Sequence, residues 1–215
     1  FAASLSISSD PALAAQSAMR LQPRDLDVGV FNEKNFVYVA SFGAFTRTAY
    51  TVPQDIKNMF GHFAYLLEGV KDLETLCPYP MKITADGEVF EGEYLFGAVC
   101  NSTSIAGLMK LSPDEVSFDD GKFELLLVRK LSSPLAAFGM LHRIMKRDFD
   151  GDSLIFIKAS EVKFTFEKPE EWTLDGECGG STTQVDLKVL NRAVSIFSPE
   201  NPMFSYKEEK EEATV

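Results

Sequence analysis

Asp-Gly occurs four times in this chain, at Asp86, Asp120, Asp150 and Asp175, and two copies extend to Asp-Gly-Glu, at Asp86–Glu88 and Asp175–Glu177. Two carboxylates one residue apart can divide the work of a general base and a ligand for a cation or hydroxyl. Asp-Gly is also the strongest short hairpin-turn signal. Each site therefore has a bland reading beside the chemical one. Asp86-Gly87 lies between "MKITA" and "EVFEGEY", both alternating, and a two-residue turn accounts for it. Asp150-Gly151-Asp152 follows "HRIMKRDF", where a helix end and a turn suffice. A calcium loop would need further oxygen residues at alternating positions, and they are absent.

The other two sites are richer. "LSPDEVSFDDGKF" crowds Asp114, Glu115, Asp119 and Asp120 into one connection. Such charges repel unless solvent or a cation relieves them. A hard cation such as Mg²⁺ suits the donor set, and a solvated acidic loop is the blander reading. "EEWTLDGECGG" places Asp175 and Glu177 between Trp172 and Gly179-Gly180, a backbone able to bend closely around something. A partner strand with clean alternation is not evident there. Asp175 as general base with Glu177 as a ligand stands beside a plain hairpin, and local sequence leaves both open.

The remaining chemistry-bearing residues are sparse. Cys77, Cys100 and Cys178 are three, widely spaced, with no zinc-ligand spacing, and His62 and His142 do not extend a cluster. Reduced thiols in the cytoplasm are the expectation, with Cys100 in "LFGAVCNS" a small buried hydrophobe. The net charge of −11 argues against nucleic acid as a partner. No apolar stretch approaches the ~20 residues of a membrane helix, and Phe1–Arg20 lacks the pattern of a secretory signal.

The elements that must position these residues are mostly strands. "SSDPALAAQSAMRLQ" reads as a helix capped by Asp10, with Pro11 at its first position. "LDVGVF" alternates, and "FVYVASFGAF" should pair with it across "NEKN" as a hairpin. In "TVPQDIKNMFGHFAYLLEGVKDL", Ile56, Met59, Phe60, Phe63, Leu66, Leu67 and Val70 form an amphipathic stripe that reads as core. "SSPLAAFGMLHRIMKR" reads as a further amphipathic helix. Strands follow at "MKITA", "EVFEGEY", "YLFGAVCNS", "KFELLLVRK", "SLIFIKA", "EVKFTFEK", "TQVDLKVL" and "AVSIF". The fold class expected is mainly β: a two-sheet antiparallel sandwich with two or three helices. No βαβ alternation appears, hence no Rossmann unit. "YKEEKEEATV" reads as a disordered acidic tail.

Several stretches in order resemble one family. "FAASL", "NFVYVASFGAFT", "TVPQDIKNMFGHFAYLLEG", "LFGAVCNSTSIAGLMKLSPDEVSFDDGKFELLLV" and "LDGECGG" are similar to the C-terminal domain of the soluble bacterial diacylglycerol kinases, relatives of sphingosine and ceramide kinases. The resemblance implies a two-domain, ATP- and Mg²⁺-dependent lipid kinase. An N-terminal α/β domain would carry a Gly-Gly-Asp-Gly-Thr loop for ATP, and that motif is absent from these 215 residues. Residues 1–22 then read as an interdomain helix, 23–198 as the lipid-binding β domain and 199–215 as the tail. The chain alone is expected to be inactive; ATP-dependent lipid phosphorylation by it would overturn that.

Site residues carry over from the family's motifs. Asp175 would be the general base and Glu177 would help hold Mg²⁺-nucleotide. Asp120, with Asp119 as a candidate and the Lys122 carbonyl, would hold a structural Mg²⁺. Family members often carry glycines where Ile105-Ala106-Gly107 stands here. The implied partners are a lipid alcohol such as diacylglycerol and, transiently, a membrane surface reached from the cytoplasm. Sheet edges leave a homodimer open. The competing reading is a non-catalytic β module that binds a lipid or a protein. An NAD kinase shares the general architecture, but the "VPQDIKNMFGHFAYLLEG" and "DDGKF" stretches favour the lipid branch.

Overall fold

The computed structural model describes residues 1–43, 78–102, 104–105, 109–110, 116–131, 133, 136, 139–140, 142–143, 146, 148–149 and 152–199. The amphipathic stripe at 56–70, Asp114, Glu115, Asp150 and the tail from 200 lie outside the described residues. Helix α1 (Pro11–Ala18) starts where expected: the Asp10 carboxylate accepts from Ala12 and Leu13 N–H at 2.8 and 3.1 Å. None of its residues is buried. Asp10→Ala should cost about 1 kcal/mol of helix stability, read as faster amide exchange at Ala12 and Leu13. Among residues 133–146, those described from Ala136 onward are helical, and Ser133 Oγ accepts from Ala136 N–H.

Eleven strands are described: β1 (Pro23–Phe31), β2 (Lys34–Phe36), β3 (Val39–Gly43), β4 (Tyr79–Ala85), β5 (Glu88–Cys100), β6 (Ser104–Ile105), β7 (Met109–Lys110), β8 (Phe123–Arg129), β9 (Leu154–Ala159), β10 (Glu161–Leu174) and β11 (Glu177–Phe197). The mainly β, antiparallel class is as expected. The two-sheet arrangement is not: nine strands form one continuous sheet, β2-β1-β11-β10-β3-β5-β8-β9, with β4 also pairing β10 and β5. β3 and β4 share the gap between β10 and β5, one pairing Trp172–Leu174 and the other Val162–Phe166. β6 and β7 form a separate small ribbon.

The sheet curls until β2, at one end, meets β8, the neighbour of β9 at the other. Phe36 of β2 packs edge-on against Phe123 of β8, ring centroids 5.5 Å apart. Between them lies an aromatic core in which Phe42 touches Trp172, Phe166, Tyr79 and Phe164 at 4.8–5.9 Å. Gly97 lies under the Phe42 ring, where a Cβ would collide with it. A second core on the opposite face of β5 and β8 joins Phe96, Ala98, Leu126 and Val128 to Leu5, Phe118 and Met140. Strands covered on both faces read as continuous apolar runs, which is what "YLFGAVC" is and, apart from Glu124, "FELLLV".

Two readings change at β1–β3 and β10–β11. "FVYVASFGAF" is not one strand. β2 pairs β1 over three residues, and β3 leaves for β10 and β5. The break at Val37–Tyr38 has a cause in the site below. The stretches on both sides of "LDGE" are single long strands of 14 and 21 residues. Pro169 sits where the β10–β11 register shifts between Thr165 and Glu170, a position that tolerates the missing N–H.

Candidate functional site

Asp175-Gly176 is the two-residue turn joining β10 to β11, with Leu174 paired to Glu177. Both turn residues have positive φ, 51° and 91°, the signature of a type I′ hairpin. Trp172, 1% exposed in the aromatic core, anchors the strand leading into it. The Asp175 side chain does not simply face solvent. Oδ1 accepts from Tyr38 and Val39 N–H at 2.8 and 2.9 Å, and Oδ2 from Val37 N–H at 2.8 Å. In return, Asp175 N–H donates to the Val39 carbonyl at 2.8 Å. This is why β2 and β3 are separate: three consecutive N–H groups leave the ladder for one carboxylate. An ionised carboxylate offers about four lone-pair positions, and the described residues engage three of them. The remaining one, on Oδ2 of an exposed residue, is the one a substrate hydroxyl could use. Glu177 is exposed one residue past the turn.

The other Asp-Gly-Glu builds the same device. Asp86 and Gly87 have φ of 45° and 92° and close β4 to β5. Asp86 accepts from Ser160 N–H, Ser160 Oγ–H and Glu161 N–H at 2.8–3.1 Å. Its own N–H donates to the Glu161 carbonyl at 3.0 Å. Partial burial opposes its charge, but these donors outweigh it and hold the carboxyl below its ordinary range. What distinguishes Asp175 is its neighbourhood. Tyr38, on the clamped segment, is half-buried, and its phenol is raised by burial against a hydrogen bond from Ser102. Ser102 is fully buried and lies 3.3 Å, Oγ to Oγ, from Ser4. Asn101, also fully buried, donates its N–H to the Tyr38 carbonyl and its Nδ2 to the Asp27 carbonyl. The turn, residues 37–39 and residues 101–102 thus meet at one end of the sheet.

The acidic loop lies elsewhere, before β8. Asp119 is 6% exposed; Ser117 Oγ donates to Oδ1 at 3.0 Å and Arg192 to Oδ2 at 2.9 Å. Asp120 Oδ1 accepts from Lys122 N–H and Oδ2 from Lys158 Nζ. Among the described residues, no three acidic, histidine or cysteine side chains converge as metal ligands. As arranged, the two carboxylates expected to hold a structural Mg²⁺, those of Asp119 and Asp120, are occupied by protein donors. Lys122 joins them through its N–H, which donates to Asp120.

Beneath the loop are two acids that lie inside strand runs, Asp27 in "LDVGVF" and Glu124 in "KFELLLVRK". Asp27 is fully buried and accepts from Gly121 N–H, Asn191 Nδ2 and Arg192 N–H at 2.6–2.9 Å. Burial raises its pKa despite those donors. Glu124 is fully buried, with no hydrogen bond to either carboxyl oxygen among the described residues; Lys158 Nζ stands 3.7 Å away. Burial pushes it up to about 8. Cys100 is buried as expected, its thiol raised well above the usual value by burial and by Glu124. No helix among the described residues is long and apolar enough to cross a membrane.

Comparison with known proteins places this geometry in a family. Residues 39–198 match the YegS C-terminal NAD kinase beta sandwich-like domain. The chain is 34% identical over 183 residues to a diacylglycerol kinase of Bacillus subtilis (strain 168), covering 84% of this chain and 59% of that protein. It is 32% identical over 176 residues to a diacylglycerol kinase of Staphylococcus aureus (strain Newman), covering 81% and 55%. A solved diacylglycerol kinase structure from Bacillus anthracis str. Sterne superposes with a TM-score of 0.65 at 20% identity, over 93% of this chain and 63% of that one. That last likeness concerns the fold. The chain spans less than two thirds of the length of each.

Proposed function

We propose, from the premise that the chain belongs to the YegS C-terminal NAD kinase beta sandwich-like domain family, the C-terminal domain of diacylglycerol-kinase-type lipid kinases, that it is the lipid-facing part of a two-domain lipid kinase. The observation that carries this reading is the Asp175 turn. It presents two exposed acids, Asp175 and Glu177, on a rigid hairpin docked against residues 37–39. ATP and its Mg²⁺, when bound, supply the phosphoryl group and neutralise its charge. Asp175 would take the proton from the lipid hydroxyl at the open position of Oδ2 as the hydroxyl oxygen bonds to the γ-phosphorus of ATP and the bond from that phosphorus to the ADP oxygen breaks, releasing ADP. Glu177 reaches outward to the nucleotide side. Helix α1 buries nothing against the sheet and leaves Leu13 53% and Met19 89% exposed, which suits a contact with an ATP-binding domain.

The acceptor class is a lipid alcohol, with diacylglycerol first and ceramide-like, sphingoid and glycolipid alcohols as the competitors. The two-domain protein, offered ATP and this panel, should phosphorylate at least one member; transfer to none would leave only a binding module. Glu177→Ala should raise the KM for Mg-ATP several-fold with a smaller change in kcat. An unchanged KM would remove Glu177 from the nucleotide side.

A further inference from the structure

We infer that the acidic loop before β8 is closed by two side-chain cations of this chain, Lys158 and Arg192, in the place where a divalent metal would otherwise be needed. Among the described residues of the loop, both carboxylates, those of Asp119 and Asp120, have a donor on each oxygen. Asp119 takes Ser117 and Arg192; Asp120 takes the Lys122 N–H and Lys158. A divalent cation needs such oxygens at roughly 2.0–2.6 Å and would have to expel both positive groups. Arg192 cannot yield by losing a proton.

The delivery of Arg192 is built into the sheet. β11 slips register against β1 between Leu26 and Val28, and Arg192 sits in that irregularity with φ of 54°. A bulky residue there is uncommon and needs support. Asp27 supplies it, accepting both the Arg192 N–H and the Asn191 amide while also holding Gly121 N–H. The bulge turns the guanidinium onto the loop, where Nε and the Asn191 amide reach the Asp119 carbonyl at 3.3 and 3.0 Å. From the other side, β9 brings Lys158 Nζ to 3.1 Å from Asp120 and 3.7 Å from Glu124. One buried aspartate thus ties the loop, the bulge and its cation together. The inference is independent of the kinase reading, because no activity enters it.

Thermal melts of the chain in EDTA, Mg²⁺ and Ca²⁺ test it. The wild-type Tm should be the same in all three, within about 1 °C. Lys158→Met and Arg192→Met should each lower it by several degrees in EDTA, a midrange effect for breaking a half-buried charge pair. The inference is overturned if Mg²⁺ raises the wild-type Tm by several degrees and Asp120→Ala abolishes that rise. It is equally overturned if both methionine variants melt at the wild-type temperature.

Discussion

Asp175→Asn in the two-domain kinase is expected to lower turnover at least a hundredfold, within the ~10²–10⁴ range of a lost general base, and to lower Tm as well. The second effect comes from the fold. An amide in place of the carboxylate turns one acceptor into a donor facing the N–H groups of Val37, Tyr38 and Val39. Leaving such groups unpaired costs about 1–3 kcal/mol. A fall in activity alone would therefore be ambiguous between lost chemistry and a loosened loop. The protein carries its own control. Asp86 makes the same turn and the same style of clamp, on Ser160 and Glu161. Asp86→Asn should lower Tm comparably and leave turnover near wild type at a temperature where both variants are folded. Equal losses of turnover in the two variants would reduce Asp175 to a clamp. Near-wild-type turnover in Asp175→Asn would remove it from the reaction.

Glu124→Gln is expected to change how stability depends on pH. Burial raises the Glu124 pKa from 4.5 to about 8, with Asp120 adding to the rise and Lys158 opposing it. Between those values the folded chain holds a proton that the unfolded chain has released. Stability therefore falls as pH rises through this window. The contribution of the protonated carboxyl is complete below about 4.5 and lost above about 8. Its size is on the order of a few kcal/mol. At pH 7 the proton stays largely on Glu124, and Lys158 gives its charge to Asp120, 3.1 Å away. Glutamine mimics the neutral acid, so the variant should lose the downward slope from pH 5 to 8.5 and melt higher than wild type at the alkaline end. Chemical denaturation across that range reads it directly. Parallel pH profiles for the two proteins would show that the buried carboxyl does not titrate there.

Much of the frame is legible in the chain, and the failures have physical causes. Asp10 with Pro11, and Asp86-Gly87 between alternating strands, carry their own local signals, and both stand. The β10–β11 hairpin has the same Asp-Gly turn but a weaker strand pattern around it. Glu167, Lys168, Pro169 and Glu170 interrupt the alternation, and the register shifts across them. "FVYVASFGAF" looks like one strand because nothing local reveals that a carboxylate 136–138 residues away takes three of its N–H groups. Asp27 hides in an alternating run because β1 is covered on both faces. The acidic loop shows its charges in sequence but not its cations. Lys158 and Arg192 arrive from β9 and β11, 38 and 73 residues away from their partners. Tyr38 and Ser102 had no spacing signal at all. The choice of Asp175 over Asp86 rests on family membership and on the groups around residue 38; the turns themselves are twins.

Transfer of the γ-phosphate of ATP to diacylglycerol, scored as phosphatidic acid in parallel reactions of the wild-type two-domain protein and its Asp175→Asn variant, is the most direct test. The account predicts phosphatidic acid from the wild type and at least a hundredfold less from the variant. It is contradicted if the wild type phosphorylates neither diacylglycerol nor any other lipid alcohol, or if the variant keeps pace with the wild type.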